Sequence, residues 1–247
     1  MTDVRALLER AIANEQRGER EAARTLYDQV LAVAPEHPGA LLKLALFDQA
    51  AGDLQAAHAR LERSLRAARS SRLSTVPIHL AYAELHEHGN DRTAARAAYE
   101  QALAEAPGHP AATFGLGQLA LREGDAREAI GQFRAVLARQ PDNVPARAQL
   151  ASALLAQGAV AEAAAELAPA INAIPASAPL RLLAANIALR RSDFAGAIEH
   201  CRAGLDGAPG HGGLLTALGH ALRATGAADG AAAAFGDAAA AAPDDAA

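Results

Sequence analysis

Apolar and polar positions follow a helical period through most of the chain, and the pattern is cleanest between Pro110 and Asn143. There PAATFGLGQLALREGDAREAIGQFRAVLARQPDN reads as two amphipathic helices joined by a tight turn. The first is expected from about Pro110 to Glu123, where Gly124-Asp125 breaks it. The second is expected from about Ala126 to Arg139, where Pro141 ends it. Neither helix can bury its apolar stripe alone, so the stretch is a unit of something larger.

The same pattern recurs at a fixed interval. Pro107, Pro141, Pro175, Pro209 and Pro243 lie 34 residues apart, and Pro35 lies two intervals plus four residues before Pro107. Ala129, Ala163, Ala197 and Ala231 form a second column in this register, and Phe133, Leu167, Cys201 and Phe235 a third. Gly124, Gly158 and Gly226 form a fourth, with Ser192 in the remaining place. A small residue in the alanine column lets two helices approach, and the large residue four positions on lies on the same face and fills the space between them. The glycine column ends the first helix, where a positive φ costs glycine little. Proline cannot continue the second helix and sets the turn to the next unit.

With these columns the chain resembles the tetratricopeptide repeat family, whose units follow W-x2-L-G-x2-Y, then A-x3-F, then P over 34 residues. The block at 110–143 carries Leu116-Gly117, Ala129 with Phe133, and Pro141 at those places; Thr113 and Ala120 replace the Trp and Tyr. Seven units follow, at about 4–37, 38–71, 75–109, 110–143, 144–177, 178–211 and 212–245, in one domain spanning 1–247. Arg69 stands where unit two needs its proline, so that unit's second helix is expected to run on through LRAARSS. Arg72-Leu73-Ser74 is the irregular seam, and unit three is read with one extra residue in its GND turn near Gly89. The resemblance implies an all-α fold, a right-handed superhelical solenoid of helix–turn–helix repeats. In it the first helices line a concave face and neighbouring units stabilise one another.

Composition narrows the function. Apolar residues are 51%, aromatics only 3%, and tryptophan is missing, so the core must be built from Ala and Leu. A net charge of −5 without a Lys/Arg block argues against nucleic acid and anionic membrane as partners. Arginine outnumbers lysine, with Lys43 the only lysine, as in a GC-rich bacterial gene. The charged amphipathic N-terminus lacks the apolar centre of a signal peptide, and no apolar run is long enough to span a bilayer, so a cytoplasmic location is expected.

The candidate chemistry is sparse. His79, His86 and His88 form the densest histidine group, but His79 and His86 lie about 10 Å apart along a helix, too far to share one ion. They are read as solvated or groove-lining rather than as a metal site. Gly115-Leu116-Gly117-Gln118-Leu119-Ala120 matches G-x-G-x-x-A without the strand that a dinucleotide site needs. Cys201, the single cysteine, stands in the column of Phe133 and Phe235 and is expected to be buried and inert. Asp244-Asp245 at the end is read as solvated. No catalytic residue, cofactor or metal is expected.

What remains is the first-helix face turned from the second helices. Gln118, Ser152, Asn186 and His220 form a polar column there, and the column continues upstream as Ile12, Leu46 and Ala83. Gln149 and Thr216 lie nearby, Arg122, Arg190 and Arg223 about a turn further on, and Phe114 a turn before Gln118. Such a ladder suits the amides and carbonyls of an extended peptide; a solvated face without a ligand is the alternative. The leading expectation is a non-catalytic protein–protein interaction scaffold that binds a peptide in this groove. Some family members clamp the carboxylate of chaperone tails with Lys and Asn, and that pattern is missing here. The unusual last unit, with Phe235 its single large anchor, motivates two others. One is an N-terminal module of a larger bacterial enzyme of sulfotransferase, glycosyltransferase or hydroxylase type, continuing past Ala247. The other is self-association through that weak repeat.

Overall fold

The punctuation at 34-residue intervals becomes a series of helical hairpins. The computed structural model describes residues 3–241, and among them are fourteen α-helices and no strand. The first helices are α1 (Val4–Gln16), α3 (Pro38–Ala50), α5 (Val76–His88), α7 (Pro110–Glu123), α9 (Val144–Gln157), α11 (Ala178–Arg190) and α13 (Gly212–Ala224). Their partners are α2 (Arg20–Val33), α4 (Leu54–Ser70), α6 (Arg92–Glu105), α8 (Ala126–Arg139), α10 (Val160–Ala173), α12 (Phe194–Gly207) and α14 (Ala228–Ala241). Pro243 and Asp244-Asp245 lie outside the described residues. The helices form two compact units that divide between Leu116 and Gly117, inside α7. No described helix is long and apolar enough to cross a membrane.

Each hairpin turn follows one recipe. A single residue takes a left-handed conformation, and in four of the hairpins the next is an aspartate that caps the second helix. Gly18, Gly52, Gly124, Gly158 and Gly226 have φ between 77° and 86°, and Asn90 and Ser192 take the same place at 56° and 58°. Asp53, Asp91, Asp125 and Asp193 then accept the backbone N–H groups of Ala56, Ala94, Glu128 and Gly196 at 2.9–3.0 Å.

This recipe corrects the register expected for the third hairpin. Gly89 has no positive φ; Asn90 does, 34 residues before Gly124, so the GND turn holds no insertion. All four extra residues fall at the preceding seam. There α4 runs to Ser70, as the missing proline implies, and is three residues longer than α2, and the linker at 71–75 is one longer than that at 34–37. The seam is secured by Glu105 at the end of α6, which accepts the Thr75 backbone N–H at 3.0 Å, at the start of α5.

Close packing explains the Leu-Gly pair. A Cβ on Gly117 would lie 2.7 Å from the Phe133 ring, and one on Gly115 only 2.2 Å from Tyr99. Phe133 and Tyr99 therefore sit where only glycine leaves room. Ala129, Phe133, Leu167 and Cys201 are all sealed from solvent. In the last hairpin Phe235 meets Gly219 in the same way but stays half-buried.

The first unit carries polar groups inside its core. Tyr27 takes the place of Phe133, and its hydroxyl donates to Glu15 at 2.6 Å; Tyr99 donates to Glu87 at 2.8 Å. Glu15 and Glu87 are in register with each other and with Leu121, the residue that accompanies Phe133. The tyrosine hydroxyl requires a polar partner, and Glu15 and Glu87 supply it. Desolvation, then Glu15, hold the Tyr27 phenol well above its ordinary pKa. Asp48 of α3 is nearly fully buried and accepts from Arg24 of α2 at 2.7 Å and from Arg60 of α4. Lys43 also reaches Glu15, at 3.1 Å.

Candidate functional site

The expected polar column lies on α7, α9, α11 and α13, and its four residues belong to the second unit, where α11 touches both α9 and α13. Gln118 and Ser152 are half-buried and Asn186 is exposed. None of the three bonds through its side chain to another described residue, so each keeps its hydrogen-bonding capacity. Gln149 is half-buried and Arg190 exposed, and neither has a described partner; Arg122 is exposed. Phe114 is half-buried and belongs to the first unit.

The last hairpin behaves differently. The His220 ring stands edge-on to Phe235, centroids 5.2 Å apart, and its Nδ1 lies 3.2 Å from an Arg223 guanidinium nitrogen. Arg223 also sits 5.8 Å above the Phe235 ring. His220 and Arg223 thus cover the half-buried Phe235 and face a second helix, instead of standing clear of it. Thr216 is exposed, but its hydroxyl donates to the Gly212 carbonyl at 2.9 Å. The three unspent rungs are therefore Gln118, Ser152 and Asn186.

The corrected register also changes the upstream column. Ala83 is fully buried, and the position equivalent to Gln118 is Glu84, which is exposed. Desolvation of its carboxyl, followed by neighbouring Glu87, pushes the Glu84 pKa up. The column thus turns polar at the third hairpin and not at the fourth. Asn90 in the glycine place was the signal: counted as the turn residue, it brings Glu84 into line.

His79 is neither solvated nor groove-lining but buried. It stands in register with Leu41, a core position, and desolvation, then Arg69, lower its pKa. His86 lies over Tyr82 at 6.1 Å, with His58 edge-on to the same ring. His88 bonds to the Glu84 carbonyl at 2.8 Å. No group of three or more His, Cys, Asp or Glu among the described residues is arranged to hold a metal ion. Cys201 is buried, and desolvation raises its thiol pKa to about 11. One cleft escaped sequence reasoning altogether. It lies between α10, α11 and α12 and is lined by Arg181, Arg191 and His200.

Models of the tetratricopeptide repeat match residues 4–47, 48–110, 80–143, 120–187 and 182–247. No curated protein matches the chain. Among solved structures, PilW, a type IV pilus biogenesis factor, is similar at a TM-score of 0.78 and 20% identity, covering 88% of this chain and 99% of its own. A tetratricopeptide repeat protein from Parabacteroides merdae has a TM-score of 0.71 at 19% identity, covering 98% of this chain and 94% of its own. MamA gives 0.59 at 20% identity over 64% of this chain and 93% of its own. At such identities the likeness is one of fold.

Proposed function

The chain belongs to the tetratricopeptide repeat family, and from that premise we propose that it is a non-catalytic scaffold holding an extended segment of a partner protein along the first helices of its second unit. The observation that carries this reading is the set Gln118, Ser152 and Asn186. They stand in one register on three successive first helices, accessible, with their donors and acceptors unspent. An extended peptide displays carbonyl and N–H groups at regular intervals, and side chains that both donate and accept suit such a display. Arg122 and Arg190, exposed one turn away, favour acidic side chains on the partner.

The test compares the full chain with its Gln118→Ala, Asn186→Ala double variant. Capture from the source cell followed by mass spectrometry selects a partner, and tiled peptides from it are titrated calorimetrically. Losing two hydrogen bonds should weaken the responsible peptide by about 5- to 100-fold. Unchanged affinity, with an unchanged circular dichroism spectrum, defeats the assignment.

A further inference from the structure

We propose that the second unit carries a binding site for a compact aliphatic monocarboxylate on the side of its second helices. The site is the cleft of about 340 Å³ between α10, α11 and α12. The first helices on either side, α9 and α13, contribute nothing to its lining. That volume lies at the small end of ligand pockets, about 300–1,000 Å³.

The cleft exists because one hairpin has been hollowed. Ala164 stands in register with Ile130 and Ile198, Ala184 with Leu150 and Leu218, and Ala188 with Leu154 and Leu222. Ile130, Leu150 and Leu154 are buried and fill the corresponding space one hairpin earlier. Three large side chains are thus truncated together around one volume, leaving Leu167, Ile171 and Ile187 as an apolar floor. Ile187, where the neighbouring hairpins have Ala153 and Ala221, refills part of that space, and the volume that remains is room for an occupant.

The charges at the mouth favour an anion. Arg147, one hairpin earlier, bonds to the Pro141 carbonyl at 2.8 Å and to the Glu166 carboxylate at 3.3 Å. Arg181 repeats the carbonyl contact, to Pro175 at 2.8 Å, but His200 takes the place of the glutamate, its Nδ1 3.1 Å from the guanidinium. Burial, then Arg181, lower the His200 pKa, and an imidazole carries no negative charge, so no counter-charge replaces the lost carboxylate. Arg191, also in the lining, pairs with no described residue. Asp193 is the one acid there, and its Oδ1 is engaged with the Gly196 N–H, capping α12. Two arginines against one aspartate leave a single positive charge, which matches a monoanion. Guanidinium recognises carboxylate by paired hydrogen bonds, and the apolar floor takes a short branched chain.

Such a group exists as a free branched acid or as the last residue of a peptide ending in an aliphatic side chain. Calorimetry on the full chain with 4-methylpentanoate, its amide, N-acetyl-Gly-Leu and N-acetyl-Gly-Leu-amide separates these sources. At least one acid should bind saturably and about tenfold or more tighter than its amide. Tighter binding by the dipeptide acid identifies a peptide terminus, and tighter binding by 4-methylpentanoate a free acid. Ala184→Leu with Ala188→Leu, which restores the neighbouring residues, should abolish binding without lowering Tm, and Arg191→Gln should weaken it about tenfold. Should the double variant lose helicity, Ala188→Leu alone and Arg191→Gln decide. Absence of saturable binding, equal affinity for acid and amide, or binding unaffected by refilling the cleft overturns the proposal.

Discussion

Asp48 offers the sharpest test of how the first unit is held together. Its carboxylate side chain is 3% exposed and lies between Arg24 of α2 and Arg60 of α4, whose side chains keep 33% and 26% of their surface. One acid therefore joins three consecutive helices. In Asp48→Ala the two guanidiniums face each other across a vacated site with no anion between them. Breaking a buried pair costs about 3–5 kcal/mol, and the partial exposure of both arginines places this one near 3 kcal/mol. For a chain of this size that lowers Tm by roughly 6–12 °C. Asp48→Asn keeps the shape and can accept from one arginine, but its NH2 then meets the donors of the other; a loss of about 2 kcal/mol is expected. Replacing all three groups, as Arg24→Met, Asp48→Leu, Arg60→Met, removes the charges together and should return stability to within about 1 kcal/mol of wild type. Thermal melts followed by circular dichroism give the ranking, and hydrogen exchange should place the loss in α2, α3 and α4. An Asp48→Ala protein melting within about 2 °C of wild type refutes the reasoning, because a solvated surface pair behaves that way.

Two further predictions concern titratable groups. Cys201 is buried with a thiol pKa near 11, so iodoacetamide at pH 8 should leave the native chain unmodified and label it once urea unfolds it; labelling of the native protein at the unfolded rate contradicts the buried assignment. His79 has a folded pKa below its ordinary value of 6.5, so the unfolded chain binds more protons in the interval between the two. Its contribution is present above pH 6.5 and is lost as pH falls below that value, levelling off beneath the folded pKa. His79→Leu, which copies Leu41, should flatten the decline of Tm measured across this range, and a parallel pH profile for variant and wild type disproves the assignment.

The fold was legible because its constraints recur. Phe133 needs Gly117, Pro141 needs the helix to be over, and most hairpins meet similar demands, so columns emerge from a single chain. Legibility failed where a substitute satisfied the same physics with another residue. Asn tolerates the left-handed conformation, so Asn90 does the work of glycine while Gly89 beside it invites the wrong count. That single shift moved a buried alanine, Ala83, into a column that belongs to Glu84. His79 was misread because nothing local marks a histidine as buried; its register with Leu41 does, once the seam is correctly counted. The cleft was invisible for another reason. Each of Ala164, Ala184 and Ala188 is unremarkable in an alanine-rich chain, and only comparison with Ile130, Leu150 and Leu154 shows that volume has been removed. On the candidate face, Gln118, Ser152 and Asn186 were readable from spacing. The engagement of His220 by Phe235 was not, because it follows from that ring being half-buried at the last described hairpin.

The two units differ in how their cores use polar groups. In the first unit several polar groups are spent internally, although Gln49 Oε1 and His109 Nδ1 are buried there without a described partner. Tyr27 requires Glu15, Tyr99 requires Glu87, and Asp48 requires both Arg24 and Arg60, so each group is committed to holding helices together. A residue so committed cannot give up its partner to a ligand without leaving a buried donor or charge unsatisfied. In two hairpins of the second unit the same structural places are taken by apolar residues, Phe133 with Leu121 and Leu167 with Leu155, whereas in the last Arg223 sits over Phe235. Neither of those two apolar pairs asks for a polar partner. Gln118, Ser152 and Asn186 on the first helices and Arg191 beside the second are without described partners, and the volume missing around Ala184 and Ala188 lies in the same unit. A scaffold that recognises a partner needs unspent hydrogen bonds and unfilled space, and Gln118, Ser152, Asn186 and the cleft between α10, α11 and α12 offer both within the second unit.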